Sequence, residues 1–431
     1  MLTKQVRILW LGQLLANIGD VFYLVCILTY IFTTTQSPII TGIVPILFVI
    51  AQTVSSTLAP LLYKRFPLQR LLFVSQLSKS CLLLLLVLLL ASTTSLSIYP
   101  IMFTHLAIAF LDGWANPASN ALLPRLSEKQ QLMRLNSLFA TTDQTVQLSG
   151  WALGGLLVSL LGPAPILWGS LILFLLASLL MGLLRDPYDD KKRKGMPAES
   201  NQISIEMNKQ QTKQAGKKEI LLHGWRLILS RSDLRTLTLM ELLEGLAGAI
   251  WAAAIMLFYV SEVLMKGEEW WGYINAVFFL GMITGGMITY KLSSWLDKRF
   301  RLTLIIIGIA NALLTLYFGL TTEAWVALAL SFVLGVFIQY QDVNKQTFFQ
   351  QSIAHESLPA VLSAKSTLNY LSFGLSVFGM SIIVEVAGAS TAYLVAGGLL
   401  SASVLVAIWK RASFPSQVET VEVDLESGNS I

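Results

Sequence analysis

Long apolar runs, each about a membrane's width, recur along the whole chain and are separated mostly by short polar turns. A helix that crosses ~30 Å of hydrocarbon needs about 20 mostly apolar residues. Twelve runs meet that need, over 8–33, 39–63, 71–92, 98–123, 136–161, 164–184, 236–262, 270–293, 302–320, 324–348, 360–385 and 389–409. Backbone N–H and C=O groups in lipid must bond within their own segment, so each run predicts a helix. The expected fold class is an all-α integral membrane protein with twelve transmembrane helices. The first run lacks a small-residue cleavage site and is expected to stay as a helix rather than leave as a signal peptide.

Composition agrees with this pattern. Of 431 residues, 55% are hydrophobic and 13% charged, and mean hydropathy is +0.66. A soluble domain carries about 25% charged residues. Cys26 and Cys81 both fall inside apolar runs, with no metal or redox spacing, and are read as packing residues.

The distribution of charge matters more than its total of +5. With both termini on one side, that side's loops and helix ends hold Lys4, Arg7, Lys64, Arg65, Arg70, Arg125, Lys129, Arg134, a dozen bases between 185 and 235, then Lys291, Lys298, Arg299, Arg301, Lys410 and Arg411. The opposite loops hold Lys266 alone. An excess of Lys and Arg marks cytoplasmic loops, so both termini are expected in the cytoplasm of a multi-pass cell-membrane protein. The turn "YKRFPLQR", with Lys64, Arg65 and Arg70 and no acid, then orients the second and third helices.

One long polar break divides the chain. The expected organisation is an N-terminal six-helix bundle over 1–184, a cytoplasmic linker over 185–235, a C-terminal six-helix bundle over 236–411 and an acidic cytoplasmic tail over 412–431. "DDKKRKGMPAESNQ" is charged and poor in apolar residues, so it is expected to be disordered. In "KKEILLHGWRLILSRS", Ile220, Leu221, Trp225, Ile228 and Leu229 recur at helical spacing between bases. That predicts an amphipathic helix on the inner membrane face. The halves echo each other: "KRFPLQRLL" from Lys64 recurs as "KRFRLTLII" from Lys298, and "SEKQQLMRLNSL" at Ser127 falls beside "AHESLPAVLSAK" at Ala354. The offsets, 234 and 227 residues, nearly agree. Two parallel repeats related by a pseudo-twofold axis along the membrane normal are expected.

With twelve helices as six plus six, the chain resembles the major facilitator superfamily. The loop turn "APLLYKRFPLQRLL" lies where that family has a Gly-acid-base motif. "WANPASNALLPRLSEKQQLMRLNSL" is similar to the helix 4–5 region of its drug and siderophore exporter branch, which includes macrolide-efflux and enterobactin-exporter-like proteins. "SGWALGG" is similar to the antiporter motif of helix 5, with Gly150, Gly154 and Gly155 matching and Trp151 in place of proline. In the loop motif the glycine position falls on Ala59 or Pro60 and the acid position on Tyr63 or Lys64. The family's acid–base latch therefore lacks its acid here. Arg65 or Arg70 is expected to meet a helix end or another acid, for example Asp143 at the start of the fifth helix.

Charged residues at mid-membrane cost roughly 2.5–3.5 kcal/mol on insertion scales and therefore face cavities or partners. Asp20 shares a face of the first helix with Gln13 and Asn17, and Asp112 one of the fourth with His105 and Asn116. His105 is read as a core histidine. Glu241 and Glu244 open the seventh helix, with Trp251 two turns beyond Glu244; an aromatic face with acids suits a cationic, apolar substrate. Asp342 and Lys345, at i,i+3, are expected to neutralise each other. Lys79 is expected to snorkel to the headgroups, leaving Asp20 and Asp112 without a mid-membrane base. The tryptophans at 10, 168, 270, 271, 295, 325 and 409 fit an aromatic belt.

The expected function is secondary active transport: proton-coupled export of an amphiphilic, drug-like or siderophore-like small molecule. Its alternatives are lipid flipping, nutrient-uptake symport and non-transporting membrane sensing. The chain has no Gly-x4-Gly-Lys-[Ser/Thr] phosphate loop. His105, His223 and His355 are dispersed, with no Cys or His cluster, so an enzyme is not expected. The expected partners are the bilayer, a small-molecule substrate and a coupling proton or cation, with no cofactor, metal or nucleic acid, and a monomeric state.

Overall fold

The computed structural model describes residues 2–92, 98–189 and 216–414. The first six long helices are α1 (Lys4–Thr35), α2 (Pro38–Arg65), α3 (Leu68–Ser92), α4 (Ile98–Leu126), α5 (Leu132–Leu161) and α6 (Pro163–Gly182). A shorter α7 (Lys217–Ser230) precedes α8 (Ser232–Ala247), which passes through a tight turn at Gly248–Trp251 into α9 (Ala253–Phe258). Then come α10 (Glu269–Asp297), α11 (Phe300–Leu320), α12 (Ala324–Ser352), α13 (Leu358–Ala387) and α14 (Ala389–Trp409). Among the described residues, eleven helices are long and apolar enough to span a membrane, and the α8–α9 pair, bent by 54°, makes a twelfth.

Local chemistry sets the boundaries. Thr3 and Ser37 accept from the N–H groups of Val6 and Ile40 at the starts of α1 and α2, and Pro38 occupies a first-turn position whose N–H has no helical partner. Gly162 and Gly388 end α5 and α13 at φ 78° and 83°, a backbone region that favours glycine. Several helices run past their apolar cores: α1 begins at Lys4 and α5 at Leu132, and α12 ends at Ser352. Hydropathy marks only the lipid-covered part, whereas the polar last turns stay helical in water.

The packing repeats between the halves. In the first, α1 packs on α5 and α6, α2 on α4, and α3 on α4 and α6. In the second, α8 packs on α13 and α14, α10 on α12, and α11 on α12 and α14. These are the same pairs six spans later. The halves meet through α2 with α13 and α5 with α10, two contacts that a twofold operation exchanges. The echoed turns around Lys64 and Lys298 join equivalent helices.

Three cores show where the halves touch. At the end that carries the termini, one core combines Leu72, Leu122 and Leu132 with Phe348, Leu358 and Leu362. At the other end the halves have separate cores, one around Tyr23, Ile31 and Phe174 and one around Tyr259, Phe318 and Tyr393. The bundle is therefore closed at the termini end and parted at the opposite end. Outward-facing Leu160, Ile172, Phe378 and Trp409 stay exposed, as a lipid solvent requires.

Two features bear on the linker helix and the cysteines. Amphipathic α7 docks on α13, α2 and α8, bridging both halves. Gly224 allows this, since a Cβ there would stand 2.2 Å from the Ala360 carbonyl oxygen. Ile228 is buried against protein, Ile220, Leu221 and Trp225 are half-buried, and Leu222 and Leu229 remain exposed. Cys26 is buried, but Cys81 is exposed and packs no core. The expected disordered stretch, apart from Asp189, and the acidic tail beyond Phe414 lie outside the described residues.

Candidate functional site

Asp20 and Asp112 do not stand without a base. Lys79 Nζ lies 2.6 Å from Asp20 and 2.9 Å from Asp112. Lys79 stands eleven residues into α3, about 16 Å from its start at 1.5 Å per residue. That is too deep to snorkel, and its side chain is 0% exposed, against 32% for Asp20 and 15% for Asp112. Its ammonium also lies 4.7 Å from the Phe174 ring centroid. A comparison of Lys79's depth in α3 with that of Asp20 in α1 would have pointed to this partner.

The rest of the α1 stripe is also bonded. Gln13 donates to Ser119 Oγ at 2.8 Å, and Asn17 donates to Asp143 Oδ1 at 2.6 Å. Asp143, missed as a site residue in the sequence, is eleven residues into α5 rather than at its start. It is therefore no partner for the loop bases. Tyr63, one of the two residues that fall at the motif's acid position, donates to the Trp114 carbonyl at 2.7 Å. Lys64, Arg65 and Arg70 are exposed, with Arg70 over the Phe66 ring. Asn116 is exposed towards Tyr370 of α13. His105 is buried between Tyr23 and Phe48.

The helix 5 glycines divide. A Cβ on Gly150 would lie 2.2 Å from Val21, and one on Gly154 3.1 Å from Val25, so both let α5 approach α1 closely; Gly155 faces open space.

Between the halves lies a cavity of about 520 Å³. Asp143 and Phe139 of α5 line one wall; Glu241, Glu244, Trp251, Asn311, Gln341, Asp342 and Lys365 line the other. Glu244 pairs with Lys345 and accepts from Ser403 Oγ at 3.1 Å. Glu241 pairs with Lys365 at 2.9 Å. Lys345 makes its direct ion pair with Glu244 of α8, and Asp342, one turn earlier, faces the cavity within reach of the Lys345 charge. Trp251 stacks on Phe278 with ring centroids 4.4 Å apart, beside the bend between α8 and α9.

Below the cavity the termini end is sealed by polar contacts between halves. Asn136 donates to Gln350 and Thr347 at 2.7 and 2.9 Å, Gln350 donates to the Asn120 carbonyl at 2.8 Å, and Arg125 donates to the His355 carbonyl at 2.7 Å. Arg125 also holds Asp186 at 3.0 Å. Amides and Arg125 make these closing contacts.

Comparison with known proteins fits this architecture. The Major Facilitator Superfamily model matches residues 9–377. The chain is 30% identical over 396 residues to the uncharacterized MFS-type transporter YfmI of Bacillus subtilis (strain 168), covering 91% of this chain and 93% of that protein. It is 22% identical to YjbB of the same organism, covering 94% and 95% of the two chains. Among solved structures, a bacterial homologue of the iron transporter ferroportin in an outward-facing state gives a TM-score of 0.72 at 14% identity, covering 95% of this chain and 100% of that one. The proton:xylose symporter XylE gives 0.74 at 12%, covering 97% and 98%. The chain belongs to the Major Facilitator Superfamily, a secondary transporter whose two six-helix halves enclose this cavity.

Proposed function

We propose that the protein is a proton-coupled exporter of amphiphilic small molecules in the cell membrane, akin to the family's drug and siderophore exporter branch. Both termini are cytoplasmic in this proposal, so the conformation described is closed to the cytoplasm and open to the outside. The bundle boundaries at 184 and 236 belong to the same proposal.

The observation that carries it is the Asp20–Lys79–Asp112 cluster. Two carboxylates share one ammonium near mid-span, which leaves one uncompensated negative charge. An unpaired charge away from water is costly. One proton, arriving from the open side, neutralises the cluster and frees one carboxylate from Lys79. Asn17, one turn from Asp20, binds Asp143 at the cavity wall, so the rearrangement reaches the substrate space. The helix 5 glycines support the same proposal, because they let α5 slide along α1 at close range.

The test is uptake of a fluorescent amphiphile into inverted vesicles under an imposed proton gradient. Wild type should accumulate it and lose it when a protonophore is added. Asp20→Asn and Asp112→Asn should keep expression but lose gradient-driven accumulation. Unchanged coupled transport in both variants would remove the cluster from the mechanism, and accumulation in the opposite sense would identify an uptake symporter instead.

A further inference from the structure

The closed end contains a titratable group that the transport proposal does not use. His355 stands in the turn between α12 and α13, where the second half meets the first. Its carbonyl accepts from Arg125 Nη2, at the end of α4, at 2.7 Å. Its half-buried ring meets Tyr188, just beyond α6, in a T-shaped contact with centroids 5.8 Å apart. The Arg125 guanidinium lies 4.8 Å from the centroid of the same Tyr188 ring and holds Asp186 at 3.0 Å. The side chains of Arg125 and Asp186 are 7% and 0% exposed. One buried stack therefore joins two segments of the first half to a turn of the second.

The stack suits a neutral ring only. His355 Nδ1 is buried and has no hydrogen-bond partner. An imidazolium carries a proton on both ring nitrogens. Whichever tautomer the neutral ring adopts, the charged ring would bury an N–H with no acceptor, which is costly. The surrounding charges act in the same direction. Arg125 and Lys129 are the bases that face the ring, and with burial they hold its imidazole below the ordinary value of 6.5. The nearby carboxylates are engaged elsewhere. Asp186 is held by Arg125, Asp189 accepts from Gln69 at 3.4 Å, and Glu356, exposed on the same turn, accepts from the Tyr188 hydroxyl. On the α7 side, His223 meets Ser357 Oγ at 3.1 Å, while Arg226 and Glu219 pair with each other.

We propose that His355 is a pH-responsive catch between the halves: neutral, it lets them close at this end, and protonated, it drives them apart. Opening separates the ring from Arg125 and Tyr188 and returns it to water, where its affinity for a proton recovers towards the ordinary value. The open form then binds the proton more tightly than the closed form, so falling pH favours opening below about pH 6.5. A single proton can change the open-to-closed ratio by at most about tenfold per pH unit. With both termini in the cytoplasm, cytoplasmic acid shifts the resting transporter towards its inward-open form. That sidedness rests on the proposed orientation, whereas the catch itself requires neither a direction of transport nor a coupling ion.

The test measures distances between spin labels on the purified full chain in lipid nanodiscs, without substrate or gradient. The labels sit on Lys4→Cys and Lys298→Cys, exposed at the closed end of each half, in a chain that also carries Cys26→Ala and Cys81→Ala. The labelled parent should show mainly the short distance at pH 8, and its open-to-closed ratio should rise by about threefold or more at pH 5.5. His355→Gln, neutral throughout, should lose most of that rise, and His223→Gln should keep it. His355→Arg, charged throughout, should populate the long distance already at pH 8. A smaller rise in the parent would overturn the proposal, and so would a rise in His355→Gln at least half as large as the parent's. The His355→Gln comparison decides the matter even if His355→Arg does not fold. Loss of proton-coupled export in vesicles would leave the catch standing, because these distances involve no coupled step.

Discussion

Replacing Lys79 with methionine removes the one base between two carboxylates while nearly preserving side-chain volume. Asp20 and Asp112, at 2.6 and 2.9 Å from Nζ, would then face each other without a cation. Breaking a buried ion pair on one side costs about 3–5 kcal/mol. Asp20 keeps 32% of its side chain accessible, which places this case near the low end, at about 3 kcal/mol. Asp20→Asn leaves the Lys79–Asp112 pair intact and should cost about 1.5 kcal/mol, the loss of one charge-assisted hydrogen bond on a partly accessible carboxylate. The triple variant Lys79→Met, Asp20→Asn, Asp112→Asn replaces all three charges with neutral groups and should regain most of the loss, because such replacements are often near neutral. The assay is thermal unfolding of purified protein in detergent. A chain this long shifts by about 2 °C per kcal/mol, so Lys79→Met should melt about 6 °C low, Asp20→Asn about 3 °C low, and the triple variant near wild type. If Lys79→Met melts no lower than Asp20→Asn, the lysine is not the charge that holds the cluster.

Three further outcomes are expected. Cysteines placed at Ser37 or Gly267 should react with a membrane-impermeant reagent from outside intact cells, and one at Ser200 should not; outside labelling at Ser200 would invert the proposed orientation. Gly150→Leu should separate α5 from α1 and lower stability by about 1–3 kcal/mol through overpacking, while Gly155→Ala, in open space, should be neutral by the same melting assay. His355 sits in the α12–α13 turn, where burial and then the charges of Arg125 and Lys129 hold its imidazole below its ordinary value of 6.5. Its folded-state pKa is lowered, so the unfolded chain binds its proton first as pH falls. Stability should therefore drop on acidification below about pH 6.5, and His355→Asn should flatten that part of a melting-temperature profile; an unchanged profile would count against the assignment.

The residues alone determined the class, the number and approximate limits of the spans, and the repeat. Each of these depends on local composition: an apolar stretch of sufficient length has no alternative to a helix in lipid. Turns such as "KRFPLQRLL" and "KRFRLTLII" carry their own signature. The sequence also singled out Asp20, Asp112, Glu244 and Trp251 as candidates, because a charge or indole at that depth stands out against leucine and alanine; Glu244 and Trp251 line the cavity between the halves, whereas Asp20 and Asp112 are not in its lining and bind Lys79 instead. It did not identify their partners. Lys79 looked like a snorkelling residue, Asp342 looked paired with Lys345, and Asp143 looked like the first turn of a helix. In each case the answer depended on which helix lies alongside and how far each one slides relative to its neighbour. One extra turn at the start of α5 moved Asp143 into the cavity, and the packing of α3 beside α1 and α4 gave Lys79 its two carboxylates. Such pairings join residues 33 to 126 positions apart, and only the packed bundle brings them together.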